Sequence, residues 1–519
     1  MRSISVKKMI KFAKGAFPQG ICKRSSLALS ITVMLSACAV GPDFKAPTAP
    51  AVSVGSEQNP YTALPVANPT QGSEGNAGVV QKIVLAQDIS AQWWTVFHSE
   101  ELDKLIRSAL AQSPNLASAQ AALRQAQENY TAQSGSTLYP NVSANAGASR
   151  NLGSAVSTFV PGGVLYNLYN ASVSVSYTLD IFGANKRALE SVQAAVEYQQ
   201  FQVEAAYLTL TSNLVTTAIK EASIRAQLQA TQEILNAQAK QLDVIEHQLS
   251  MGAIPKASVL AQRNLVAQTS ASLPGLEKSL QQTRNQLAVY AGRLPSDANL
   301  PEFSLDSLQL PQELPLSVPS ALVHQRPDIR ANEALLHQAS AEVGVATANL
   351  YPQITLSANY GSAATKASNL FGAGWSLWSL GAGITQPIFN GGALNAKKRA
   401  AIAAYDQADA QYRATVLSAF QNVADSLQAL DFDANTLKQQ VAVEALAKQT
   451  LELTSQQYQL GAVSSLSLLD AKRTYQTARI GLVQAQAARY ADTAALFQAM
   501  GGGWWNRPAL TDISVKTNQ

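Results

Sequence analysis

Residues 184–251 and 393–460 contain neither glycine nor proline. An unbroken helix over either run would reach roughly 100 Å at 1.5 Å per residue, far beyond the width of a compact domain. Apolar residues recur at three- and four-residue spacing, as at Ile224, Leu228, Leu235, Leu242, Ile245 and Leu249, while Ala and Gln fill most other positions. Small side chains permit close helix approach of the coiled-coil kind. Each run stops at a glycine, in Met251-Gly252 and Leu460-Gly461, which suits a left-handed C-cap. Partner helices over about 256–291 and 464–500 would return antiparallel to the long ones, with bends at Pro274-Gly275 and Gly481.

The chain also repeats itself. Ser113-Pro114-Asn115-Leu116 matches Arg326-Pro327-Asp328-Ile329 at an offset of 213, and Leu138-Tyr139-Pro140 matches Leu350-Tyr351-Pro352 at 212. Ile181-Phe182 returns as Ile388-Phe389 at 207. Gly252-Ala253 returns as Gly461-Ala462, and Ala291-Gly292 as Met500-Gly501, both at 209. Ordered landmarks at a nearly constant offset mark an internal duplication, with repeats over 91–292 and 321–503. Each unit is too long for a solenoid repeat. The segment 293–320, with Pro295, Pro301, Pro311, Pro315 and Pro319, reads as an irregular connector. Residues 38–90 are rich in Pro, Ala, Gly and Ser and read as an extended tether, and 504–519 form a C-terminal tail.

Within each repeat the order is helix, two strands, long helix, helix. First helices fall over about 100–136, broken at Pro114, and about 328–350. The period then changes to two, over about 140–151, 165–182, 352–362 and 375–389. Val142, Ala144, Ala146 and Ala148 alternate with Asn141, Ser143, Asn145 and Gly147; Trp378, Leu380, Ala382 and Ile384 alternate with Ser379, Gly381, Gly383 and Thr385. Such alternation marks a transmembrane β-barrel strand, although a half-buried soluble strand also alternates. The polar face is small and neutral, as a lumen wall can be. Aromatics stand near the strand ends (Tyr139, Tyr166, Tyr169, Phe182, Tyr351, Phe371, Trp375, Phe389) as in an interfacial girdle. Four strands cannot close a barrel, and open edges are not tolerated in lipid. Membrane strands here therefore require several chains to share one barrel.

Charge separates the first residues from the rest. Seven of the 38 basic residues and none of the 34 acidic ones lie in 1–37, so the remainder carries 31 against 34, a net −3. That balance does not suggest a nucleic-acid surface. A basic stretch, the short apolar run Leu27–Ala37 and small residues at its end fit a secretory signal peptide over 1–37. Leu35-Ser36-Ala37-Cys38 resembles the bacterial lipobox. That implies cleavage before Cys38, a diacylglycerol on its thiol and an acyl group on its new amino terminus. Ala39 stands where an Asp would favour retention in the inner membrane, which implies the outer membrane. Stable anchoring usually takes a second membrane-binding element.

Cys38 followed by Val40-Gly41-Pro42-Asp43-Phe44, then Trp93-Trp94, Arg326-Pro327-Asp328-Ile329-Arg330, Gln386-Pro387-Ile388-Phe389-Asn390-Gly391-Gly392 and Met500-Gly501-Gly502-Gly503-Trp504 together resemble the outer-membrane factors of tripartite efflux pumps. This is the TolC-like superfamily, in its lipoprotein branch serving resistance-nodulation-division transporters. The resemblance covers essentially all of 38–505. It implies a mixed α+β membrane protein: a homotrimeric transmembrane β-barrel with four strands per chain, continuous with a long periplasmic α-helical barrel. The implied function is that of a passive exit duct, and the implied partners are a periplasmic adaptor, an inner-membrane resistance-nodulation-division transporter and outer-membrane lipid.

The resemblance further implies narrowing rings of Leu466 and Asp470 at the periplasmic end of the tunnel, with Tyr458 and Arg473 as neighbouring polar latches. Leu466 and Asp470 are four apart and share a helix face, while Asp470 and Arg473, three apart, are also compatible with a solvated pair of little energetic weight. The helix tips at Gly252, Ala253, Gly461 and Ala462 are the expected adaptor contacts. Other readings have less support. His98, His247, His324 and His337 show no metal-ligand spacing, and no nucleophile elbow or phosphate loop occurs, so neither an enzyme nor a cofactor is expected. A duct for type I polypeptide secretion and a lipid-anchored structural coiled coil are the alternatives, and the second leaves the four alternating strands unexplained.

Overall fold

A computed structural model describes residues 40–48, 61–62, 65–154, 163–296 and 299–507. In chain order the elements are β1 (Lys82–Leu85), α1 (Glu100–Gln112), α2 (Pro114–Leu138), β2 (Asn141–Gly153), β3 (Val164–Leu179), α3 (Ala184–Ser250), α4 (Lys256–Tyr290), β4 (Glu313–Leu316), α5 (Pro319–Gln325), α6 (Pro327–Ala348), β5 (Gln353–Ala364), β6 (Ser376–Thr385), α7 (Ala393–Gln459) and α8 (Ser465–Ala499). They divide into two compact units. Over the described residues, one holds 40–42, 136–188 and 342–399; the other holds 43–135, 189–341 and 400–507.

The first unit is built on an antiparallel sheet in the order β2-β3-β5-β6. Its register gathers like residues into rows. Val142 pairs with Val175, Val175 with Ala358 and Ala358 with Leu380, while on the next row Ser143 pairs with Ser174, Ser174 with Asn359 and Asn359 with Ser379. Successive rows face opposite sides of the sheet, so one face is apolar and the other is small and polar. The Ser143 and Ser174 hydroxyls stand 2.8 Å apart on the polar row. β6 ends at Thr385, four residues short of the expected end at 389. Pro387 has no N–H to give a ladder, and Ile388 and Phe389 beyond it are each 90% exposed.

The second unit is mostly helical. Ser99 caps α1 by accepting from the Leu102 N–H, and Glu100, Glu101 and Asp103 occupy its first turn, where carboxylates oppose the helix dipole favourably. The chain breaks at Ser113, and Pro114 opens α2 with a φ already set for a helix. α4 continues through Pro274 without interruption. The carbonyl that the missing N–H leaves over belongs to Ser270, an exposed residue. α8 likewise runs through Gly481, where a Cβ would approach Gln440 of α7 to 3.0 Å. The glycine there provides room for a neighbouring helix.

The described part of the tether is more ordered than its composition indicates. β1 lies within it and pairs in parallel with β4 of the connector, Ile83 opposite Leu314. The connector is also tied to α3 by Glu221, which is fully buried. Its carboxylate accepts from Arg225 at 2.6 Å, from Arg284 at 3.0 Å and from the backbone N–H of Phe303 at 2.9 Å. A buried carboxylate is tolerable only when satisfied in this way.

Candidate functional site: the helix tips

Both long helices end in the same structure. Gly252 (φ +73°) and Gly461 (φ +75°) occupy the left-handed C′ position. Behind them the Ala253 N–H donates to Gln248 O and the Ala462 N–H to Gln457 O, at 2.9 and 2.8 Å. With the Gly252-to-Leu249 and Gly461-to-Tyr458 bonds these complete two Schellman motifs. All four expected adaptor-contact residues, Gly252, Ala253, Gly461 and Ala462, are exposed. Nothing lies within 4 Å of where a Cβ on Gly252 or Gly461 would stand.

The two tips meet. The Ser258 and Ser465 hydroxyls are 3.1 Å apart, and the Tyr458 hydroxyl reaches Gln248 Oε1 at 3.5 Å. Ser464 starts α8 by accepting from the Ser467 N–H at 3.2 Å, whereas Pro255 holds the equivalent N-cap position of α4 without a side-chain bond. Sequence reading missed the roles of Ser258, Ser464 and Gln248. The serine cap, three residues before Ser467, was the signal available for Ser464.

In α8's first turns Leu466 is 71% exposed, and Asp470 and Arg473 are exposed as well. Among the described residues, neither Asp470 nor Arg473 forms an ion pair. The three-residue spacing that could have joined them does not do so within one chain. At the offset of 209 the first repeat carries Ala257, Ala261 and Asn264 in place of Leu466, Asp470 and Arg473. The duplication therefore preserves the turn, while at these three positions the bulky apolar and charged groups stand in the second copy.

Cys38 lies outside the described residues; the segment just after it is fixed at several points. The Val40 N–H donates to Phe182 O at 3.1 Å. A Cβ on Gly41 (φ +104°) would stand 2.6 Å from the Cα of Gly344, so the backbone approach there requires glycine. Phe44 stacks on His337 with centroids 4.3 Å apart and planes 15° from parallel, and His337 Nε2 lies 2.9 Å from Glu190. No described helix is long and apolar enough to cross a membrane.

Known proteins are similar to this chain. The family model "Outer membrane efflux protein" matches residues 105–293 and 318–502, one stretch in each repeat. The chain is similar to the pyoverdine export outer membrane protein OpmQ of Pseudomonas aeruginosa, 34% identical over 429 residues that cover 81% of this chain and 88% of the relative. It is also similar to the cation efflux system protein CusC of Escherichia coli, 28% identical over 488 residues covering 92% and 98%. Among solved structures, the outer-membrane channel OprN superposes with a TM-score of 0.79 at 25% identity, covering 90% of this chain and all of that one.

Proposed function

This chain belongs to the outer membrane efflux protein family, and from that premise we propose that it is the passive exit duct of a tripartite efflux pump. Three copies each contribute β2, β3, β5 and β6 to one twelve-stranded barrel in the outer membrane. Their α3, α4, α7 and α8 helices line a periplasmic tunnel. The observation that carries this reading is the sheet itself. Its faces separate into apolar and small-polar rows, while β2 and β6 stand at its two ends without a partner strand among the described residues. A sheet of that pattern is complete in lipid only when further copies close it.

The tunnel closes at the helix tips. Leu466 supplies an apolar ring and Asp470 a ring of three carboxylates about the threefold axis. Those carboxylates repel one another, and Arg473 of a neighbouring copy offsets them. A charge-assisted contact of that kind contributes about 1–3 kcal/mol, within the range that binding of a partner elsewhere on the tip can overcome. The partner is a periplasmic adaptor seated on the turns at Gly252, Ala253, Gly461 and Ala462, which in turn couples the duct to an inner-membrane resistance-nodulation-division transporter. Lipid on Cys38 adds a second hold on the membrane beside the barrel.

The duct takes what the transporter delivers. OpmQ and CusC bear names that specify pyoverdine and cations, so one channel architecture accompanies cargoes of very different chemistry. The test is reconstitution of the purified full-length protein in planar bilayers. Trimers that insert and give discrete conductance steps are expected; a monomer, or a trimer that never conducts, contradicts the proposal.

A further inference from the structure

Residues 141–179 and 353–385 span β2, β3, β5, β6 and the loops that join them in pairs. They contain two charged residues, Arg150 and Lys366, and no acidic one. Both cations are exposed, and neither forms an ion pair among the described residues. Arg150 stands two residues past Ala148 on β2, so it shares the face of Val142, Ala144 and Ala146. Lys366 stands two residues past Ala364, the last residue of β5. Ala148 and Ala364 both pair with Tyr169 of β3. Two strand spacings, roughly 10 Å, therefore separate those alanines, and each cation lies two residues farther along its own chain segment in the same direction.

The same face of the sheet holds a groove of about 450 Å³. Its wall includes Ala146, Ala171, Val173 and Tyr360 of the sheet and Leu370 and Phe371 of the β5–β6 loop. The Ser362 hydroxyl holds the loop there by donating to the Trp375 carbonyl at 2.9 Å and touching that of Leu370. Phe371 is 86% exposed, and an apolar patch this open calls for a cover. Ala146 comes four residues before Arg150, and Tyr360 six before Lys366. The groove thus lies on the helix-joined side of the two charges.

We propose that this face binds a phosphorylated anionic lipid of the outer leaflet, headgroup on the two cations and one acyl chain in the groove. The inference rests on the duct reading above, which turns the face of Val142 and Leu380 toward lipid. Arg150 offers its fork of N–H groups to one phosphate, and Lys366 its ammonium to a second. The acyl chain lies along Ala146, Ala171 and Val173 beneath Leu370 and Phe371. This order along the strands is that of a lipid in its leaflet, charge at the interface and hydrocarbon toward the midplane. A cation on the lipid face of a barrel is costly at the midplane and tolerated at the interface. A free phosphate would satisfy the cations and leave the groove open. A zwitterionic headgroup would bring a cation of its own to a surface that has no carboxylate to receive it.

Native mass spectrometry of the purified full-length trimer in detergent, titrated with bisphosphorylated lipid A, tests this. One lipid A per chain is expected. Combining Arg150→Gln with Lys366→Gln should weaken it at least tenfold, as should Phe371→Ser. Phosphatidylcholine should bind at least tenfold more weakly, and inorganic phosphate at equal concentration should not displace lipid A. Lipid A binding that survives the paired substitution overturns the proposal, as does phosphatidylcholine that binds as tightly. Displacement by inorganic phosphate overturns the role of the groove. Should the paired variant not assemble, the comparison of the two lipids on the wild type decides. Conductance of the same preparation separates the two readings: trimers that conduct but do not select lipid A lose this site and keep the duct.

Discussion

A Cβ placed on Gly501 would stand 2.7 Å from the backbone carbonyl oxygen of Gln325. The same joint occurs in the first repeat, where a Cβ on Gly292 would stand 2.7 Å from the carbonyl of Gln112. Each glycine is the left-handed C′ residue of a helix, at φ +90° and +72°. Each glutamine is the last residue of a helix, α5 or α1, just before the next helix opens on proline. The duplication seen in sequence is thus a duplicated packing joint. Arg326 reinforces the second copy by donating to Ala499 O at 2.9 Å while paired with Asp328 at 2.7 Å.

Gly501→Ala should destabilise the protein more than Gly252→Ala. Both place a methyl group at positive φ, at a cost of about 1–2 kcal/mol. Only position 501 adds overlap with backbone, since the space around Gly252 is open, and overpacking costs roughly 1–3 kcal/mol more. Thermal unfolding of the two purified variants measures the difference; equal midpoints would show that the joint yields freely.

Leu380→Arg and Ser379→Arg are neighbours with opposite expectations. Leu380 belongs to the row with Val142, Val175 and Ala358, and Ser379 to the row with Ser143, Ser174 and Asn359. An arginine on the lipid-facing row costs about 2–4 kcal/mol near the bilayer midplane, whereas one on the lumen row changes selectivity with little loss of stability. Urea unfolding in liposomes separates them. A greater loss for Ser379→Arg would reverse the assignment of the faces.

Asp492 sets a pH dependence. Burial raises its carboxyl to about 7, aided by a hydrogen bond and repulsion from Asp433 and opposed by Arg489. An unfolded Asp titrates near 3.9. Between roughly pH 4 and 7 the folded chain holds a proton that the unfolded chain has lost, so stability falls as pH rises across that window and levels off above it. Asp492→Asn should flatten the profile and raise the unfolding temperature at pH 8. A variant whose temperature falls from pH 5 to 8 as steeply as the wild type's would assign the dependence to another group.

Much of this was legible in sequence because long helices and membrane strands are written locally. Freedom from Gly and Pro, followed by Gly252 or Gly461, marks a helix and its cap. Alternation such as Trp378, Leu380, Ala382, Ile384 marks a strand with two unlike faces. What was not legible depends on distant partners. Lys82–Leu85 is too short and too evenly apolar to announce a strand, and its partner Glu313–Leu316 lies in a proline-rich connector. Asp470 and Arg473 have the spacing of a pair, yet each remains exposed and unpaired among the described residues. Whether they act depends on a neighbouring copy.

Single-channel conductance in planar bilayers tests the central claim most directly. In the proposed duct the exposed Leu466 and Asp470 are the narrowing residues of the trimer's periplasmic end, so the Leu466→Ala/Asp470→Ala channel should conduct several times more than the wild type while its trimers remain equally stable. The matched first-repeat change Ala257→Gly, on the copy that carries no such ring, should leave conductance where it was. An unchanged conductance in the double variant would remove the helix tips from the gate and contradict the account.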